Sequence, residues 1–258
     1  MSRLAPDSAR PARGFSLVEV LVALGLSLMV SMAALEHLRV AREASRAVSG
    51  RTDVQHQAAL ALDLIRSEIR RAGFRVDAHT SLEDAFAQQS FSLGEPAQST
   101  TVPGAAVAYV SAASELWIRF QASGDRWDGD CLGQAPAAPG ALIVERLWVD
   151  AEGLHCGVWR DQGYKSALLL EAVEAWALTV GVDTDLDGNV DSYAEARDVA
   201  DWSAAVALQV RVRTVSARAE PGSTSAPFVD LDGTARTPGD LRVRRVASGI
   251  VPLKARAR

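Results

Sequence analysis

The residues with the most obvious capacity for chemistry are a run of carboxylates. The stretch DTDLDGNVDSY places Asp183, Asp185, Asp187 and Asp191 around Gly188 and Asn189, which is the oxygen-rich alternation of a calcium loop. Ca2+ takes about six to eight oxygen ligands, alternating acids deliver theirs to one side of a tight turn, and glycine permits the bend. Counted from Asp183, however, the twelfth position is Ala194 and Glu195 comes one place late. An EF-hand proper is therefore not expected. Two readings stand: a looser DxDxDG cation loop completed by Asp191 or a distant acid, and a solvated acidic turn between two strands. A shorter DLDG at residues 230–233 is a weaker echo of the same pattern.

Cys131 and Cys156 are the only cysteines and have neither CxxC nor other metal-type spacing. That count reads as one disulfide in an oxidising compartment, with two buried free thiols as the alternative. A bond between them would close a loop of about 25 residues and contribute roughly 3–4 kcal/mol. His155 stands beside Cys156, but no second His–Cys cluster accompanies it, and His37, His56 and His79 fall in helix or loop. A lone histidine in such surroundings is structural. The sequence carries no GxSxG, HExxH or P-loop pattern, so no enzyme is expected.

One further acid is out of place. Glu19 lies inside GFSLVEVLVALGLSLMVSMAAL, residues 14–35, an otherwise apolar stretch. A carboxylate in a membrane helix costs on the order of 2.5–3.5 kcal/mol unless it snorkels or finds a partner. Such a cost asks for a compensating role.

The elements that hold these residues follow from composition and periodicity. The 258 residues are 48% apolar, enough for a substantial core, and carry a formal charge of −5 with no basic block. Nucleic acid is not an expected partner. Residues 15–35 span about 31 Å as a helix, close to the hydrocarbon thickness of a bilayer. Arg3, Arg10 and Arg13 against Asp7 keep residues 1–14 on the cytoplasmic side and send the remainder outward. A secretory signal peptide with a small-x-small site at Ser31-Met32-Ala33, or a plain anchor, is the competing reading, and Glu19 argues against both.

Helical periodicity continues over residues 36–73. Val54, Ala58, Ala61, Leu62, Ile65, Ile69 and Ala72 recur at steps of three and four, with Asp63, Arg66, Glu68, Arg70 and Arg71 on the other faces, a stripe suited to docking on a sheet. Gly73 suits a helix C-cap, and Ser49-Gly50 is a place for the helix to loosen. Beyond it, residues 115–120, 141–149, 153–159, 173–183, 204–215 and 241–251 read as strands, and 77–104 and 218–240 as long loops. Alternation of Val210 and Val212 with Arg211 and Arg213 suits a sheet with one wet face. The fold expected is α+β: a long N-terminal α-helix, transmembrane and then amphipathic, packed on an antiparallel β-sheet head of residues 74–258.

RGFSLVEV resembles the class III signal of type IV prepilins and type II secretion pseudopilins. The resemblance implies that a prepilin peptidase cuts after Gly14, that Phe15 becomes the N-methylated first residue, and that Glu19 faces the terminal amine of a neighbouring subunit and sets register. ALDLIRSEIRRAGFR, residues 61–75, resembles the helix end of the PilW family of minor pilins, with a weaker likeness to the J-type minor pseudopilin. DCLG at 130–133, LHC at 154–156, the acidic loop, DWSAAVALQVRVRT at 201–214 and LRVRRVASGIVPLKAR at 241–256 are similar to phrases of the same family, although this chain ends in Lys-Ala-Arg where an Arg-Asn pair is usual. The cysteine phrases strengthen the disulfide; the acidic phrase belongs to the family without implying metal.

What the resemblance implies is a type IV pilin-like fold and a minor pilin at or near the fibre tip, supporting pilus assembly and initiation, twitching motility and adhesion. The alternative is a J-type minor pseudopilin of a type II secretion system. A secreted hydrolase, the third reading, lacks its triad or metal cluster. The implied partners are prepilin peptidase, other minor and major pilins, the inner-membrane assembly machinery, and membrane lipid before assembly. The implied location is a single pass of the inner membrane with the head in the periplasm, then the pilus fibre. Ca2+ is the one cofactor the sequence suggests.

Overall fold

The computed structural model describes residues 16–92, 99–110, 114–124, 129–134, 138–160, 163–185, 187–219 and 227–253. The chain divides into two compact units, Met1–Val48 and Ser49–Arg258. One helix, α1 (Leu17–Arg71, 55 residues), contributes to both and remains helical through Ser49-Gly50. In the first unit every side chain from residue 16 to 45 is exposed, leucine, valine and methionine included. Length and composition make this helix sufficient to cross a membrane.

In the second unit α1 behaves as an amphipathic element. Val54, Ala58, Ala61, Leu62, Ile65, Ile69 and Ala72 are all buried, because three- and four-residue steps put them on one face. Full burial of Ile65 and Ile69 stabilises by roughly 1.5–3 kcal/mol each. Glu68, expected on a solvent-facing side, is buried as well; its partner Arg71 lies one turn on and supplies the countercharge that burial requires. Gly73 adopts φ +75°, the left-handed conformation of a helix-ending glycine. Its N–H donates to the Arg119 carbonyl at 2.9 Å, so the sheet, rather than the helix's own last carbonyls, receives that donor.

Among the described residues the head contains thirteen strands, all pairing antiparallel. In chain order the first two are β1 (Gln89–Ser92) and β2 (Ser99–Val102), which form a hairpin. A five-stranded meander follows: β3 (Val107–Val110), β4 (Glu115–Gln121), β5 (Leu142–Val149), β6 (Leu154–Arg160) and β7 (Gly163–Leu170), neighbours in space as in sequence. The remainder supplies β8 (Val173–Val182), β9 (Ser192–Glu195), β10 (Ala205–Val215), the short β11 (Phe228–Val229) and β12 (Ala235–Arg236), and β13 (Arg244–Pro252). These build a second sheet in the order β13-β10-β8-β9 and a small hairpin, β11-β12.

The main core joins the helix stripe to the inward faces of both sheets, including Leu116, Ile118, Ile143, Leu147, Leu208 and Val210. Thr214 Oγ1 donates to the Val54 carbonyl at 3.2 Å. At Gly249 on β13 an added Cβ would stand 3.2 Å from the Leu62 side chain, a tight contact that reflects how closely the helix passes over the strand.

Three expectations need correction. Residues 77–104 hold a one-turn helix, α2 (Leu82–Ala85), and the β1–β2 hairpin, whose Phe91 and Val102 bury themselves against Ala108, Trp117 and Val144 in a second, smaller core. Residues 218–240 contain β11–β12. That hairpin lies on the face bearing Arg211 and Arg213, where Arg211 donates to the Leu231 carbonyl and Arg213 reaches Asp230. The face read as wet is therefore partly covered, Arg211 and Arg213 being half-buried, while Val210 and Val212 are buried as expected. Trp202 stands in a 3-10 turn (Trp202–Ala204) before β10 and is buried.

Candidate functional site

At the amino-terminal end, Gly14 and Phe15 lie outside the described residues, as does the whole segment 1–14; Glu19 lies within them. Ser16 precedes the first helical residue, and its Oγ accepts the Glu19 N–H at 3.2 Å. Ser16-Leu17-Val18-Glu19 thus has the S-x-x-E order of a capping box, and a carboxylate in the first turn is favoured by the helix dipole. The structure adds a local reason for an acid at this position, and the S-x-x-E spacing was its signal in the sequence. Glu19 is exposed within the chain, followed by a face of apolar side chains in the same state.

In the head, Cys131 and Cys156 form a disulfide with Cα atoms 6.4 Å apart. It ties residues 129–134 to β6. His155, next to the cystine, is stacked on Trp148 with ring centres 5.0 Å apart and shares a hydrogen bond of 2.9 Å with Asp150. These contacts make it a packing residue. Sequence reasoning gave no sign that the cystine loop would meet the end of α1 through Arg71 and Glu145, because that meeting depends on contacts between distant segments.

The acidic loop connects β8 to β9. Asp183, Asp185 and Asp187 bring one carboxylate oxygen each to within 4.8 Å of one another. Asp191 does something else: one oxygen accepts from the Thr184 N–H at 2.7 Å, the Thr184 hydroxyl at 2.6 Å and the Asp185 N–H at 3.3 Å. The hydroxyl and then the N–H of Thr184 hold its pKa below the usual carboxylate range. Asp183, almost fully buried, accepts from the N–H groups of Asp187 and Gly188 at 3.2 and 2.9 Å. Asp185 accepts from Asp187 N–H at 3.1 Å. That N–H pulls the Asp185 carboxyl down, but desolvation and the charges of Asp187, Asp191 and Asp183 outweigh it, and its pKa stands above the ordinary value. Three clustered oxygens are about half of what Ca2+ requires, and the turn is closed by hydrogen bonds from within the protein. Gly188, at φ +94°, makes the bend.

Two family models match this chain. The prokaryotic N-terminal methylation motif matches residues 9–35, taking in Gly14, Phe15 and Glu19 at the head of the apolar helix. The model described as type IV pilus-assembly protein W matches residues 140–255, from the residues just before β5 to just beyond β13, with Cys156 and the acidic loop inside it. The chain is a type IV pilin of the PilW family. No curated protein matches the pilin. Among solved structures it is similar to a type IV-like pilin from Thermus thermophilus, at 15% identity over 79% of this chain and 98% of that chain, with a TM-score of 0.44. As a member of this family it works with pilus proteins and the processing peptidase, and its apolar helix suits membrane anchoring.

Proposed function

We propose that the pilin is a minor subunit of the type IV pilus, placed at or near the fibre tip, where it supports assembly and initiation, twitching motility and adhesion. Prepilin peptidase cuts it after Gly14, Phe15 is N-methylated, and the head faces the periplasm until the inner-membrane machinery draws the helix from lipid into the fibre. Its partners there are other minor pilins and the major pilin. It does no chemistry of its own; its work is association.

The observation that carries this reading is the position of the methylation motif, residues 9–35, which takes in the start of a 55-residue helix whose first part is predominantly apolar and exposed. An acid and an amine brought together among such helices attract strongly in a low dielectric, whereas either one unpaired is penalised. Glu19 then acts as a register device. The match over residues 140–255 supports the pilus over the secretion-pseudopilus reading.

Mass spectrometry of the mature amino terminus tests it. The expected first residue is N-methylated Phe15. A chain that retains Met1, or begins beyond Leu35, overturns the reading. Gly14→Ala should leave an uncut precursor, and Glu19→Ala should be cut yet depleted from sheared pili; normal recovery of Glu19→Ala in the fibre would refute the register role.

A further inference from the structure

The last turn of α1 rests on a loop whose position is set by the disulfide. Cys156, in β6, is fully buried, and its bond to Cys131 fixes residues 129–134. Within that loop Asp130 Oδ1 accepts the N–H groups of Leu132 and Gln134 at 3.0 and 2.9 Å, so it has a defined shape to present. What it presents is bound by the helix. The Arg71 guanidinium donates to the Gly129 carbonyl and to Glu145 Oε1 at 3.3 Å, while pairing with Glu68 one turn earlier. Glu145 is completely buried on β5, and the same Oε1 accepts the Cys131 N–H at 2.9 Å. A single carboxylate oxygen therefore joins the half-cystine to the helix-ending arginine. Arg71 also lies over the Phe120 ring, 4.9 Å from its centre.

The charges explain why the arrangement depends on the loop. Glu68 and Glu145 are two buried carboxylates gathered at one guanidinium, and the loop carries a third buried carboxylate, Asp130. Desolvated carboxylates need donors in place to stay ionised, and the loop supplies a donor to Glu145 and an acceptor to Arg71. Removing the loop withdraws both at once, just where the helix gives way to Gly73. The contacts among β8, β10 and β13 do not include it.

We propose that the Cys131–Cys156 bond is a redox latch on the C-terminal turn of α1. In the disulfide form the loop clamps Arg71 and Glu145, and the helix end is held on the head. In the dithiol form the loop is released and residues 66–74 open locally while the sheets stay folded. Closing the latch forms one S–S bond, releases two thiol protons and passes two electrons to the disulfide of a thiol–disulfide oxidoreductase, which is reduced to its dithiol. The inference does not depend on where in a pilus the protein acts.

Hydrogen exchange of the full chain in detergent micelles, read by mass spectrometry on peptides, tests it with three samples: the oxidised protein, Cys131→Ser/Cys156→Ser, and oxidised Arg71→Gln. The double variant should exchange at least tenfold faster across residues 66–74, with peptides of β8 and β10 unchanged. Arg71→Gln should loosen the same segment although its disulfide is intact. Unchanged protection in the double variant, loss of protection throughout the head, or full protection of residues 66–74 in Arg71→Gln would each overturn the latch.

Discussion

Residues 183–191 and residues 230–240 both gather acids on turns beside the four-stranded sheet, and DxDG-type phrases occur in each, yet their charges are handled in opposite ways. In the first, the acids are met by backbone N–H groups and the Thr184 hydroxyl, and they crowd one another. In the second, backbone N–H groups and the Thr234 hydroxyl again donate, but arginines are added to them. Asp230, nearly buried, pairs with Arg213 at 2.6 Å and Arg236 at 2.9 Å, Asp232 pairs with Arg236, and Arg244 spans Glu174 and Asp240 at 2.8 Å. A phrase rich in Asp and Gly specifies a turn. Whether that turn stores repulsion or acts as a strap is decided by which cations neighbouring strands bring to it.

The comparison breaks most visibly at Arg213, which reaches both Asp230 and Glu174 from β10. Arg213→Met keeps the aliphatic stem and deletes the cation, leaving a buried carboxylate with fewer partners. The expected loss is about 2–3 kcal/mol, seen as a lower Tm of the full chain in detergent, together with protease cleavage between residues 227 and 240. An unchanged Tm would mean that the β11–β12 hairpin is held by packing instead.

A smaller effect with a defined pH dependence belongs to Glu174. Two hydrogen bonds from Arg244, partly offset by desolvation, hold its carboxyl below the usual carboxylate range. A depressed carboxyl stabilises the fold above its unfolded pKa, and that contribution disappears as pH falls through the folded value. Asp230, Asp232 and Asp240 are lowered as well and add the same sign. Glu174→Gln should therefore cost about 1 kcal/mol at pH 7, allowing for solvent screening, and the gap from wild type should narrow as pH falls below the ordinary glutamate pKa and through the lower folded one. A gap that persists in acid would assign the loss to packing.

How much of this was legible in the sequence depended on whether a residue's partner lay nearby in the chain. The helix stripe from Val54 to Ala72 was readable because its period is set by the helix itself, and the six strands first identified were readable because each is a run of apolar residues bounded by turn formers. Seven others in the described residues were not, β3, β7 and β9 among them, and β1, β2, β11 and β12 show the reason most plainly. They are two to four residues long, and Ser, Thr, Gln and Arg occupy much of them; only the sheet beneath makes Phe91 and Val102 core residues. Glu68 faces inward beside its countercharge Arg71, which is itself held by the Gly129 carbonyl 58 residues further on, a contact that helical periodicity cannot show. In the acidic loop the composition gave the cluster Asp183, Asp185 and Asp187 but grouped Asp191 with it, and a hydrogen bond from Thr184 is the kind of local detail that alternation cannot show.

The finest test lies at Asp185, where the sign reverses. A carboxyl whose pKa is raised on folding binds its proton more tightly in the native loop than in the unfolded chain, so it opposes folding at neutral pH and ceases to do so as pH falls. Asp185→Asn keeps an oxygen for the Asp187 N–H and removes the charge. The variant should therefore melt slightly above wild type at pH 7 without divalent ions, and the advantage should vanish by about pH 3. The strap variants do the opposite, starting below wild type and converging from that side. Addition of about 1 mM Ca2+ then separates the two readings of the loop. A bound cation raises the wild-type Tm and largely spares Asp185→Asn, reversing their order, whereas a solvated acidic turn leaves the order as it was, because diffuse screening relieves repulsion without demanding a third carboxylate at a fixed place.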